Sequence, residues 1–214
     1  IVHFARSALH SIMAVRPSEE SMAAFGCGRA VPGFQELTAV PAELESIVKR
    51  DAADPDGELP GIVRLDDAFS RESLTTLLEE KHYSAIHIAS HFVLGAGGES
   101  ESYLLLGDGQ KLTLEDIRYD MRFDGVDLLS LSACNTAVGD KASDGREIEG
   151  FASLALRLGA RAVLATLWPV SDASTGLFMR TLYRLIKADP KRSRADVLRL
   201  AMLAFVHGDV ALPT

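Results

Sequence analysis

Hydrophobic residues in this chain gather into short unbroken runs, separated by stretches in which they recur every three or four positions. Ser84–Ala89, Val126–Ser132 and Arg161–Leu167 are apolar almost throughout, as strands of a parallel sheet buried on both faces must be. Ser21–Cys27 and Ile62–Leu65 read the same way, and Ile1–Phe4 predicts one more strand. Ser102–Leu106 predicts a strand followed by a hairpin turn at Gly107-Asp108-Gly109. The three-to-four spacing predicts helices from Ser7 to about Val15, stopped by Pro17, and from Pro41, with Leu44, Ile47 and Val48 on one face. Ser70 caps a third helix through Glu80 that buries Leu74, Leu77 and Leu78. Thr113 caps a short one, with Asp116 as its capping-box partner. Glu147–Leu158 ends at Gly159, Asp172 or Ser171 caps a helix through Ile186, and Ser193 begins the last, to about Val206. Asp51–Gly61 is polar and rich in Asp, Pro and Gly, and predicts an exposed loop.

Strands alternating with helices argue an α/β fold, a three-layer sandwich whose central sheet is mostly parallel. The 214 residues suit a single domain spanning 1–214, without an internal repeat. The net charge of −8 comes without a basic cluster; Lys191-Arg192-Ser193-Arg194 reads as a solvated turn before a helix. Direct nucleic-acid binding is therefore not expected. No apolar run approaches the roughly 20 residues of a membrane span. Two cysteines, Cys27 and Cys134, suggest a reducing, cytoplasmic setting rather than a disulfide framework. The chain opens at Ile1 without Met, inside a strand, so it reads as an N-terminally cut piece of a longer protein. The part beyond it is expected to hold recruiting or regulatory regions.

Two buried strands stop at reactive side chains, one at His91 and one at Cys134. Neighbouring parallel strands deliver their C-terminal residues to one sheet edge, where ligands bind in open α/β folds. An imidazole beside a thiol is what a cysteine nucleophile requires. From position alone, Cys134 can be either a nucleophile or a buried structural cysteine. Cys27 lacks such a setting and reads as structural. His87 sits mid-strand and reads as a structural hydrogen-bonding residue, while His91 lies past the strand end, within reach of a ligand. A metal held by His87, His91 and Cys134 is disfavoured, because a four-residue spacing brings ligands together on a helix and not on a strand. No cofactor is expected. Gly95–Gly98 leads to a strand and not to a helix, so it fits a mobile lip better than a phosphate cradle. Asp172 is explained by helix capping, yet it falls on the same edge and could bind a basic substrate side chain.

At these residues the sequence resembles the CHAT domain, a caspase-like domain often found after tetratricopeptide repeats in bacterial proteins. The matching stretches are His87-Ile88-Ala89-Ser90-His91, Leu104 to Gly109, Leu131 to Thr136, Gly145 to Gly150 and Leu167 to Asp172, in that order. The resemblance groups the chain with caspases, separases and gingipains and implies a caspase/hemoglobinase-like fold. It implies a cysteine endopeptidase with Cys134 as nucleophile and His91 as acid and base, and backbone N–H groups of Cys134 and Phe92 stabilising the oxyanion. Relatives often carry Gly where this chain has Phe92, a costly exchange if that position needs a positive φ. Trp168 to Asp172 is similar to the separase segment that lines a pocket for a basic residue, which implies cleavage after Lys or Arg with Asp172 as partner. The implied partners are a protein or peptide substrate and a repeat region or regulatory protein. The competing expectation is an inactive caspase-like interaction module.

Overall fold

The computed structural model describes residues 2–5, 20–80, 83–93, 95, 98–132, 146–165 and 172–210. The predicted helix from Ser7 to Val15 lies outside them. Among the described residues, seven strands form one sheet. In spatial order they are β1 (Val2–Ala5), β10 (Ala162–Ala165), β9 (Leu128–Leu131), β5 (Ala85–Ala89), β2 (Met22–Gly26), β4 (Leu59–Leu65) and β3 (Val48–Lys49). All pair in parallel except β1, which runs antiparallel along β10. Between β5 and β9 the chain builds a small antiparallel sheet from β6 (Phe92–Val93), β7 (Tyr103–Leu105) and β8 (Lys111–Thr113). The segment Ser102–Leu106 thus becomes a strand outside the main sheet, and its turn holds Gly109 at φ +86°.

Alternation along the strands splits the core into two layers. Ala23, Phe25, Ile86, Ile88, Leu129 and Val163 face α2 (Arg71–Glu80), α3 (Leu114–Asp120) and α4 (Arg146–Arg157). Met22, Ala24, Ala85, Ala89, Leu128 and Leu164 face α1 (Val40–Ile47), α5 (Asp172–Ala188) and α6 (Arg194–His207). The protein is therefore the three-layer α/β sandwich that the strand and helix periods imply. The caps form as read: Thr113 Oγ1 accepts from Asp116 N while Asp116 Oδ2 accepts from Thr113 N, and Ser193 Oγ accepts from Asp196 N.

Two departures from the sequence reading change the element to which residues belong. Val48 leaves the helix and, with Lys49, pairs along Leu59-Pro60 in a two-residue edge strand; its side chain still reaches the core. The same pairing draws Leu59 to Gly61 out of the predicted loop and into β4. Pro60 is tolerated there near the edge of the sheet. Gly61 is required, because a Cβ there would lie 2.0 Å from the Met22 carbonyl oxygen.

The N-terminal edge of the sheet is tied by charge. Glu20, Ser84, Asp127 and Arg161 each stand just before a strand, and Arg194 opens α6. Arg194 reaches Glu20 at 2.7 Å and Asp127 at 3.7 Å, Ser84 donates to Glu20, and Arg161 pairs with Asp127. That edge is closed by structure, which leaves the opposite edge for chemistry.

Candidate active site

From β2 the sheet grows both ways, through β4 and β3 on one side and through β5, β9 and β10 on the other. The order reverses between β2 and β5, so the loops leaving their C-terminal ends diverge and open a crevice. The loop after β2, residues 28–39, and Ser90-His91 after β5 meet at this crevice.

His91 is 1% exposed. Its Nε2 lies 2.8 Å from the carbonyl oxygen of Gln35. A carbonyl only accepts, so Nε2 carries the proton, and in the neutral ring Nδ1 keeps the lone pair. Nδ1 is buried and has no hydrogen-bond partner among the described residues. Phe34 leans on the imidazole with ring centroids 5.0 Å apart, and Tyr103 meets Phe34 edge-on at 6.5 Å. The sequence reading left His91 open to ligands. The structure instead buries it, because the loop after β2 folds across it.

That loop is pinned at several points. Cys27 N donates to Ala89 O at 3.0 Å, Leu37 N to Gly28 O at 2.8 Å, and Phe34 N to Val31 O at 2.8 Å. Asp66, just beyond β4, accepts from Gly28 N at 2.8 Å and from Arg29 N at 3.2 Å through one oxygen, Oδ1. Asp66 has φ +51°, and a Cβ on Gly107 would come within 2.2 Å of its carbonyl oxygen. A left-handed non-glycine residue is held in place here by its neighbours, beside the candidate site.

Phe92 does not carry the backbone cost raised for it, since Asp66 is the one non-glycine residue with positive φ among those described. Leu105 N donates to His91 O at 2.9 Å, which makes residues 91 and 105 a hydrogen-bonded pair. The next pair, Phe92 with Leu104, is then a non-hydrogen-bonded one, and the Phe92 N–H points away from β7. The ring is buried against Phe151, centroids 5.4 Å apart, which accounts for an apolar residue at this position.

β5 and β9 are direct neighbours, in register from Ala85 with Leu128 to Ile88 with Leu131. Ser132 N extends the ladder by donating to Ile88 O at 2.8 Å. Cys134 lies outside the described residues, as do Ala96, Gly97 and Trp168 to Ser171. Asp172 opens α5, so the helix starts where it was predicted to start; its side chain is not among those described.

His87 is structural, as its position suggests. It is fully buried, with Nδ1 3.2 Å from Tyr183 Oη and Nε2 3.0 Å from Glu43 Oε1. Both ring nitrogens thus face groups of the core. Cys27 is buried with its thiol 3.8 Å from Arg29 O. Burial, and after it Asp66, push that thiol above its usual range, so it is a poor nucleophile. Gln35, Phe34, Asp66 and Glu43 were not anticipated from sequence. No described helix is long and apolar enough to cross a membrane.

A family model for the CHAT domain matches residues 6–211. The chain belongs to the CHAT family. CHAT domains are caspase-like, and the parallel sheet with helices on both faces accords with that grouping. No curated protein matches the chain.

Proposed function

We propose that this CHAT domain is a cysteine endopeptidase that uses His91 and Cys134 as a dyad. The observation that carries the reading is the state of His91: one nitrogen tied to a backbone carbonyl, the other bare and buried at a switch-point crevice. The register of β5 and β9 supports the pairing, since His91 is three residues past Ile88 and Cys134 three past its partner Leu131. In this reading His91 Nδ1 takes the thiol proton and the thiolate attacks the peptide carbonyl. The imidazolium then protonates the leaving amine and, returned to neutral, draws a proton from the water that hydrolyses the thioester. The Phe92 N–H, turned away from β7, and the Cys134 N–H would serve the oxyanion. Asp172 would select Lys or Arg before the scissile bond. A protein or peptide is the substrate, with a repeat region or a regulatory protein as controlling partner, in a cytoplasmic setting.

One observation favours a second reading, that of an inactive interaction module: His91 is covered, with Phe34 against its ring. Labelling with an electrophilic peptide carrying Lys or Arg separates the two. Wild type should be labelled, and Cys134→Ala and His91→Ala should not. Labelling that persists in Cys134→Ala would remove the nucleophile assignment, and unlabelled wild type would favour the interaction module. Asp172→Ala should erase the preference of the probe for a basic over a neutral residue; an unchanged preference rules out that pocket.

A further inference from the structure

Four elements that lead to the proposed site meet at one buried polar contact. Glu43 comes from α1, His87 from β5, Ser130 from β9 and Tyr183 from α5. Beyond each lies a part of the site: Gln35 in the loop ahead of α1, His91 four residues after His87, Cys134 four residues after Ser130, and Asp172 at the start of α5. His87 and Ser130 are direct cross-strand partners. They are the polar pair in a layer otherwise made of Met22, Ala24, Ala85, Ala89, Leu128 and Leu164.

Taking the Tyr183 hydroxyl as donor sets the other roles in this contact. Burial pushes the Tyr183 phenol far above its usual range, so it keeps its proton and can donate to His87 Nδ1. His87 then carries its own proton on Nε2, which faces Glu43 Oε1 at 3.0 Å, outside the angles of a closed hydrogen bond. Ser130 reaches toward the Tyr183 hydroxyl without closing a bond of good geometry. Glu43 itself is 5% exposed and lies on the apolar face of α1, with Val40, Leu44 and Ile47. A buried carboxylate beside an imidazole is seldom more stabilising than a well-packed apolar pair, so stability alone gives no reason for it. What it adds is direction, a polar contact between α1 and β5 in a layer that is otherwise apolar.

We infer that Glu43 is a positioning residue: its contact with His87 holds α1, and with it the loop of residues 28–39, so that the Gln35 carbonyl stays on His91 Nε2. The linkage is continuous, since Val40 N donates to Leu37 O and Leu37 N to Gly28 O. Glu43 acts through Gln35 and touches no reacting atom. The inference rests on His91 as the base of the proposed peptidase, but its primary readout does not require turnover.

The test is 15N NMR of the imidazoles in wild type and Glu43→Gln, beside the rate of peptide-probe labelling at Cys134. Wild-type His91 should show a fixed tautomer protonated at Nε2. In Glu43→Gln the two nitrogens should move toward an exchange average, and labelling should slow by about ten- to a hundredfold, the cost of a small misplacement of a catalytic group. A fixed His91 tautomer in Glu43→Gln overturns the inference, even if the variant melts earlier, because a merely structural role predicts that pattern. An averaged tautomer already present in wild type overturns it as well. If Glu43→Gln does not fold, Glu43→Met keeps the side-chain length and removes the polar contact with His87, and an unmoved His91 tautomer there is equally decisive. Should wild type take no label, the peptidase reading fails, while the tautomer comparison still decides whether Glu43 positions His91.

Discussion

Replacing Asp66 probes the crevice most sharply, because two opposing effects act on one side chain. Its left-handed backbone, φ +51°, costs an L-residue about 1 kcal/mol, which glycine would recover. Its carboxylate also accepts from Gly28 N, a buried donor, and from Arg29 N, an exposed one. Leaving the buried donor unpaired costs about 2 kcal/mol, and losing the exposed bond about 0.5 kcal/mol. Glycine further loosens the unfolded chain, at about 0.7 kcal/mol. Asp66→Gly should therefore destabilise by about 2 kcal/mol despite relieving the backbone. Asp66→Ala, which keeps the backbone cost and loses both bonds, should lose about 2.5 kcal/mol, and Asp66→Asn, which keeps an acceptor and tolerates this φ, less than about 1 kcal/mol. At this chain length, 2 kcal/mol is a fall in melting temperature of about 4–8 °C. Thermal and urea melts give the order, and hydrogen exchange at Gly28 and Arg29 shows whether the loop is where the loss occurs. A glycine variant as stable as wild type, or exchange at both amides unchanged, would refute the account of the loop as clamped by this carboxylate.

Gly61→Ala should cost about 3 kcal/mol, since the added methyl meets the Met22 carbonyl oxygen at 2.0 Å and backbone cannot step aside as a side chain can. An unshifted melt would mean that β2 and β4 lie further apart than described. Asp116→Asn tests the cap of α3 through pH. Burial alone would raise the Asp116 carboxyl, but the Thr113 hydroxyl and N–H, together with Arg71, outweigh it and hold the group below its usual 3.8. Its stabilisation is thus complete above pH 3.8 and fades as pH falls through the lower folded value. The variant should lose about 1 kcal/mol at neutral pH, and the gap from wild type in urea melts should close in acid. A gap that is the same at both ends of that range contradicts the assignment.

The longer strands, the order of the described helices and the two caps were legible because each rests on local chemistry: apolar runs, three-to-four spacing, and Ser or Thr before a helix; the two-residue β3 and β6 and the three-residue β8 were not. The histidine of interest was legible for the same reason, since a buried run that stops at His91 points to a sheet edge. What fixes His91 was not legible. Gln35 acts through its carbonyl, which every residue has, so no side-chain pattern could single it out. Asp66 looks like an ordinary turn acid until its φ and the amides of Gly28 and Arg29 are known. Glu43 stands at helical spacing from Ile47 on the apolar face of α1, but only the packing of that helix on the sheet reveals a buried imidazole opposite it. The miss at Val48 has a related cause: a valine that would suit the apolar face of a helix suits an edge strand equally, and the partner that decides, Leu59, is eleven residues away. Sequence patterns thus recover the groups that would do chemistry, while the groups that orient them depend on contacts between distant segments. The sequence pointed to a dyad. Orienting its histidine takes a carbonyl from the next loop, an acid clamp on that loop and, on our inference, a carboxylate on the helix behind it.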